Sequence, residues 1–103
     1  MDMKNKTINI FGSKYKIKYI DKVYDEEGNW IYGKVDTSNK EILISTLLHD
    51  DKPVQREEVE ISLYHEIYHA ILITGQYMQC SNNEPLVEWL ARCTYSLIKQ
   101  NVL

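Results

Sequence analysis

The stretch that decides the fold is His65-Glu66-Ile67-Tyr68-His69, inside a segment that reads as helix from about Pro53 to Thr74. Residues four apart share one face of a helix, so His65 and His69 can direct their imidazoles at the same ion. Glu66 lies about 100° further round, where a carboxylate can reach a water on that ion. Because the chain has only three histidines, the probability that this pattern arises by chance is on the order of one per cent or less.

The composition is typical of a single globular domain that spans residues 1–103. No apolar run approaches membrane-spanning length and no signal-peptide core follows Met1, so we expect a cytoplasmic protein with no membrane partner. The net charge of −3 argues against a nucleic-acid partner, and the lysines that alternate through residues 14–18 are expected to be the solvated face of a strand. Cys80 and Cys93 are expected to be free thiols.

The front of the chain, residues 7–45, is rich in predicted strands. Period-2 alternation is clearest over 15–20, and further strands are predicted at 7–10, 30–36 and 41–45. Gly12-Ser13 is predicted to be the first hairpin turn. Gly33, inside a predicted strand, indicates a bulge or a close backbone approach.

The back of the chain is helical. The first helix is predicted over 53–74, with Asp51 as N-cap and Gly75 at the C′ position. The second is predicted over 84–100, capped by Asn82 or Asn83, with an apolar stripe at helical spacing that comprises Leu86, Val87, Leu90, Cys93, Leu97 and Ile98. These elements predict an α+β fold in which a small antiparallel sheet of three to four strands packs on the HExxH helix and a second, C-terminal helix.

A catalytic zinc ion needs three protein ligands and one open position, and the motif supplies two ligands. The candidates for the third are His49, Cys80, Glu84, Glu88 and, less favourably, Asp50 and Asp51. The strongest are Glu84 and Glu88, one turn apart on the second helix. One of these carboxylates can bind the ion while the other accepts a hydrogen bond from a ligating imidazole and so sets its tautomer.

HExxH followed by Asn83-Glu84 and Glu88 resembles the gluzincin arrangement of thermolysin-type peptidases. The layout also resembles the small ImmA/IrrE-type metallopeptidase domains of phages and mobile elements, over roughly residues 31–98. The resemblance implies a minimal zincin-like fold, one Zn²⁺ ion held by His65, His69 and Glu84, and Glu88 as the acid that orients a histidine. It also implies a protein or peptide substrate.

If the site is catalytic, Glu66 is the general base that takes a proton from the attacking water. A further donor must stabilise the oxyanion. The candidates are Tyr64, Tyr68, Tyr77, His49 and Arg92, and Tyr77, between the two helices, is the best placed. The strand over 41–45 is predicted to lie at the sheet edge beside the cleft and to pair with substrate through Ile42, Leu43 and Ile44.

Two classes of function remain open from the sequence. The first is a zinc metallopeptidase that hydrolyses a peptide bond in a protein partner. The second is a non-catalytic module with a zincin fold that binds a metal or holds a protein partner. Glu66 favours the first, because a pure binding site needs no general base; the small size of the chain favours the second. A third reading, with Cys80 as fourth ligand, is a closed structural zinc site.

Overall fold

Strands fill the front of the chain and helices the back, in the order that the sequence predicts. The computed structural model describes residues 3–103. The strands are β1 Lys6–Ile10, β2 Ser13–Ile20, β3 Val23–Tyr24, β4 Trp30–Ile31, β5 Gly33–Asp36 and β6 Glu41–Ser45, and the helices are α1 Arg56–Thr74, α2 Met78–Ser81 and α3 Glu84–Lys99. The α+β class is therefore confirmed.

The main sheet has four strands in the order β1-β2-β6-β5, and β3 pairs with β4 in a separate two-stranded sheet. β1 with β2 and β5 with β6 are antiparallel, but β2 and β6 at the centre are parallel. The prediction of an antiparallel sheet is therefore wrong at its centre. The connection over residues 21–40 is long enough to bring the chain back to the beginning of β2, so β6 runs in the same direction.

Two of the predicted strand boundaries in the front of the chain differ from those of the structure. The first hairpin turn is Phe11-Gly12, with φ of 50° and 95°, one residue earlier than predicted. Positive φ at both central residues is the requirement of a type I′ turn. The predicted strand 30–36 is interrupted at Tyr32, so that its first part pairs with β3 and its second part with β6.

The close approach predicted at Gly33 is confirmed. A Cβ atom there would lie 2.8 Å from the Leu43 carbonyl oxygen and 3.1 Å from Glu66 Cγ. Such contacts are too short for any side chain, so glycine lets the backbone of β5 approach α1 at the HExxH motif.

Helix α1 begins three residues later than predicted. Its N-cap residue is Gln55, whereas Asp51 has φ of 70° in the preceding turn and Pro53 forms a β-bridge with Leu47. The predicted Asp51 cap is therefore wrong, because the segment pairs back on the end of β6 before the helix starts.

Helix α1 ends after Thr74, as predicted, but the left-handed residue is Gln76 with φ of 66°. The Gln76 N–H donates to the Ile73 carbonyl and the Tyr77 N–H donates to the Leu72 carbonyl. These two hydrogen bonds form a Schellman motif in which Gln76 is the C′ residue. Gly75 is therefore the C-cap residue and not, as predicted, the C′ residue.

Helix α1 is enclosed on two sides. Its Val59, Leu63 and Ala70 pack with the inward side chains of the sheet, among them Tyr15, Ile17, Ile42 and Ile44. Its other side contacts α2 and α3. Because neighbours surround the helix, it also buries the polar side chains of Glu60, Ser62 and Glu66.

Helix α3 has the predicted N-cap, since the Asn83 side chain accepts a hydrogen bond from the Leu86 N–H and Pro85 occupies the first turn. Its most buried residues are Val87 and Ala91, whereas Leu97, placed in the predicted apolar stripe, is 38% exposed.

The short helix α2 was not predicted. Both cysteines are free thiols, as expected. Within residues 3–103, no helix is long and apolar enough to cross a bilayer.

Candidate metal centre

The two histidines of the motif meet on one face of α1, one turn apart. Their Nε2 atoms are 3.1 Å from each other, and both rings are largely shielded from solvent by α2 and α3. This is the arrangement that the four-residue spacing predicts.

Glu84 joins the histidines from the first turn of α3. Its Oε2 lies 3.0 Å from His65 Nε2, and its Oε1 lies 3.0 Å from His69 Nε2. The Asn83 cap and α2 together bring the start of α3 over the motif. One ligand atom from each of His65, His69 and Glu84 lies within 4.8 Å of the others, so this group can hold a metal ion.

Glu88 lies behind the three candidate ligands. Its Oε1 is 2.8 Å from His65 Nδ1, and its Oε2 accepts a hydrogen bond from Arg92 Nε at 2.8 Å. Partial burial raises the pKa of Glu88, but the hydrogen bonds from His65 and Arg92 outweigh it, and the net pKa is below its ordinary value. Because a carboxylate only accepts, the contact with Glu88 favours the tautomer of His65 that carries its proton on Nδ1 and leaves Nε2 unprotonated.

Ser81 is a contributor that the sequence reasoning missed. This buried residue at the end of α2 places its Oγ 3.0 Å from His69 Nδ1. The hydroxyl can accept a hydrogen bond from the Nδ1–H of His69, which leaves Nε2 of that ring for an ion. The sequence holds no specific signal for this role, because a serine in a connection between helices is most simply read as a turn or cap residue.

The three converging atoms explain why this group fits a cation. With both Nδ1 atoms directed at outer partners, two imidazole lone pairs and one carboxylate point at the same small volume. Burial lowers the pKa of His69, although Glu84 opposes that effect, and the lower pKa favours the neutral ring that a metal ion requires. A cation between the three groups removes their mutual repulsion.

Glu66 is placed differently from Glu84 and Glu88. It is only 7% exposed, and its carboxylate lies on the cavity side of α1 beside the backbone of Gly33. Burial raises the pKa of Glu66 to about 7, with the charges of Glu84 and Glu88 adding to the effect and His65 opposing it. An acid whose pKa is close to neutrality is suited to exchange protons in catalysis.

A cavity of about 770 Å³ opens beside these residues. Its floor is α1, one wall is α3, and the opposite wall is the segment from β4 through β5. Besides the metal-binding group, its lining includes Tyr32, Lys34, Ser62, Ile73 and Arg92. This volume lies within the usual range of ligand-binding cavities, about 300–1,000 Å³.

The structure corrects the predicted position of all three substrate contacts, Ile42, Leu43 and Ile44. The prediction that residues 41–45 form an edge strand is wrong, because β6 lies between β2 and β5. Ile42 and Ile44 are fully buried in the core, and Leu43 alternates to the opposite face of the sheet, so none of the three lies at an open edge. The strand that borders the cavity is β5, which is an edge strand of the main sheet.

Tyr77 also lies away from its predicted position. It is 64% exposed, and its ring packs against Gly75 at the end of α1. Among residues 3–103, those that line the cavity do not include Tyr77, whereas Tyr32 and Arg92 line it. The Schellman turn directs the chain outward at this point, and the sequence offered no warning of it because the left-handed residue is a glutamine.

Comparison with known proteins returned no matching protein family, no matching curated protein and no matching solved structure. The case for a function therefore depends on the geometry of the site.

Proposed function

We propose that the protein is a zinc-dependent metallopeptidase that hydrolyses a peptide bond in a protein partner. The observation that carries the proposal is the convergence of the His65 and His69 Nε2 atoms, 3.1 Å apart, on the Glu84 carboxylate, whose two oxygens each lie 3.0 Å from one of them, beside a buried Glu66. Two imidazoles and one carboxylate are a ligand set of catalytic zinc sites, which keep their fourth position open.

The distances support zinc in particular. Ligands at about 2.0–2.1 Å from a tetrahedral zinc ion lie roughly 3.3–3.4 Å from one another. The two Nε2 atoms, 3.1 Å apart, therefore need to separate by only a few tenths of an ångström. Both histidines already have an outer partner on Nδ1, Glu88 for His65 and Ser81 for His69, which is the usual support of zinc-bound imidazole.

Glu66 provides the proton chemistry. When bound, zinc activates water for attack and polarises a carbonyl group. The Glu66 carboxylate accepts the proton of the attacking water and returns it to the amine that leaves. Its burial favours this cycle, because the protonated acid is stabilised by the same desolvation that raises its pKa. Tyr32, on the cavity wall, is an available donor for the oxyanion, whereas Arg92 is engaged by the carboxylates of Glu58 and Glu88.

Strand β5 is the surface on which an extended substrate can pair. The Ser45 N–H donates to the Tyr32 carbonyl, and in an antiparallel pair the residues that bond to the partner strand alternate with those that do not. The backbone groups of Gly33 and Val35 are thus directed to the open edge beside Glu66. A peptide that adds to this edge brings its carbonyl groups to the proposed zinc site.

Metal content tests the proposal directly. Purified protein is expected to contain one zinc ion per chain, and removal of the ion with a chelator is expected to lower the melting temperature, because an ion that binds only the folded state stabilises it. Metal-free protein with no change in melting temperature on addition of zinc would refute the proposal. The matched control is the double variant His65→Ala/His69→Ala, whose melting temperature should not respond to zinc.

A further inference from the structure

We propose that Arg92 is a positioning residue for the metal centre, which keeps Glu88 on His65 and away from the ion. The inference rests on the proposed function, because it concerns the same ligand group. Its basis is a chain of contacts that begins at the first turn of α1 and ends at His65.

The chain of contacts has three links. Arg92 Nη2 lies 3.5 Å from Glu58 Oε2, Arg92 Nε lies 2.8 Å from Glu88 Oε2, and Glu88 Oε1 lies 2.8 Å from His65 Nδ1. Glu58 stands on α1 and the other two on α3, so the guanidinium bridges the two helices. Its planar array of donors can hold two carboxylates in fixed directions at once, which a single ammonium group cannot do.

The need for this bridge arises from crowded acids. Glu58, Glu66, Glu84 and Glu88 all border the same cavity, and Glu84 and Glu88, one turn apart on α3, repel each other. Lys34 also lines the cavity, but its ammonium donates a hydrogen bond to the Tyr24 carbonyl. Arg92, by contrast, directly contacts two of the four acids and lowers the repulsion among them.

The contact between Arg92 and Glu88 explains why Glu84, and not Glu88, faces the Nε2 atoms of the two histidines. As amino acids the two glutamates are equally good ligands. Both oxygens of Glu88 are engaged, one by His65 Nδ1 and the other by Arg92 Nε. Both oxygens of Glu84 point at the Nε2 atoms instead. Without Arg92, one Glu88 oxygen is released and can compete for the ion, which would also free the His65 ring to rotate.

A surface ion pair at i,i+4 spacing is the simpler reading of Arg92 and Glu88, and it would affect stability slightly and the metal site not at all. The two readings differ in a readout that depends on the ligand field. We compare wild type with Arg92→Leu, Arg92→Lys and the control Arg56→Leu, which makes the same change at the start of α1, outside the cavity. The measurements are zinc affinity by chelator competition, the visible spectrum of the cobalt-substituted protein, and the ¹⁵N signals of His65 in the metal-free protein.

Arg92→Leu is expected to weaken zinc binding roughly three- to tenfold, less than loss of a direct partner of a ligand. It should also alter the cobalt spectrum and shift the His65 tautomer away from Nδ1–H. Arg92→Lys should lie between Arg92→Leu and wild type, and Arg56→Leu should match wild type. Arg92 is well exposed, with 47% of its side chain accessible, so the variants are expected to fold, which circular dichroism checks.

Two results would overturn the inference while the proposed function stands. One is a wild-type protein that binds zinc and an Arg92→Leu variant with the same affinity and spectrum. The other is an Arg92→Lys variant equal to wild type, which would show that charge alone suffices. Failure of wild type to bind either zinc or cobalt is a different outcome, since it removes the proposed function itself and the inference with it.

Discussion

Helices α1 and α3 both contribute to the site, but they do so from opposite environments. Helix α1 is packed between the sheet and the other helices and buries polar residues, among them Glu60 and Glu66. Helix α3 covers one side of α1, buries Val87 and Ala91, and leaves Trp89 66% exposed. The enclosed helix supplies the two histidines and Glu66, the proposed base, whose side chains are held by packing, and the covering helix supplies Glu84 and Glu88.

The polar side chains of the two helices also differ in their effect on the stability of the fold. A buried carboxylate reduces stability unless it is neutral or paired. Glu60 is paired, since Tyr64 donates a hydrogen bond to it, but Glu66 is buried beside the cavity and requires a reason other than stability. The charged residues of α3 lie at its partly exposed cavity side, where they carry little cost. The comparison leads us to expect large functional effects with small stability effects on α1, and graded effects on α3.

The largest expected effect is from Glu66→Gln on the enclosed helix. Hydrolysis of fluorescence-quenched peptides should fall by about 10²- to 10⁴-fold, because the general base is removed. Zinc content should be unchanged, and the metal-free variant should melt at the same or a higher temperature, because a buried carboxylate becomes a neutral amide. Retained hydrolysis would remove Glu66 from the mechanism.

The second prediction compares the two glutamates of the covering helix. Glu84→Ala should weaken zinc binding by more than about a hundredfold, since a ligand is lost, whereas Glu88→Ala should weaken it by about tenfold through the orientation of His65. Competition with a chromophoric chelator measures both. The reverse order would mean that Glu88 is the ligand.

The third prediction tests which face of α3 is buried. Val87→Ala should lower the free energy of unfolding by about 2 kcal/mol, because it leaves a cavity against α1. Trp89→Ala, two residues away on the outward face, should change it by less than about 0.5 kcal/mol. Urea denaturation of the two variants gives the comparison, and equal losses would contradict the orientation of α3.

The smallest expected effect is from Tyr77→Phe. Its hydroxyl lies outside the cavity, so zinc affinity and peptide hydrolysis should both equal those of wild type. Tyr32→Phe is the matched variant on the cavity wall. Impaired hydrolysis in Tyr77→Phe, with Tyr32→Phe unaffected, would restore the oxyanion role that the sequence suggested for Tyr77 and would imply that the α1–α2 turn closes over the cavity.

Local patterns predicted the elements whose signals are themselves local. The alternation over 15–20 predicted β2, the apolar run 41–45 predicted β6 to the residue, and Asn83 with Pro85 predicted the start of α3. Periodicity oriented α3 only in part, since Val87 of the predicted stripe is buried but Leu97 is 38% exposed. It also gave no face to α1, because a helix enclosed on both sides has apolar residues all round.

The pairing and the direction of the strands were the features that the sequence failed to predict. The order of the strands depends on the path of the connection over residues 21–40. The sequence of β6 itself does not indicate that its neighbours are β2 and β5. The predicted edge position of Ile42, Leu43 and Ile44 was wrong for this reason. The Asp51 cap failed similarly, because the Leu47–Pro53 bridge is a contact between segments.

The sequence by itself determined that His65 and His69 share a helix face with Glu66 beside them, because helix geometry sets those relations over a single turn. It also narrowed the third ligand to a few residues. Only the tertiary structure decided that Glu84 faces the Nε2 atoms while Glu88 and Ser81 stand behind the rings, and that Gly33 admits Glu66 beside an open strand edge. Those contacts join α1 to α2, to α3 and to β5, so they depend on how the elements pack and not on the spacing within any one of them.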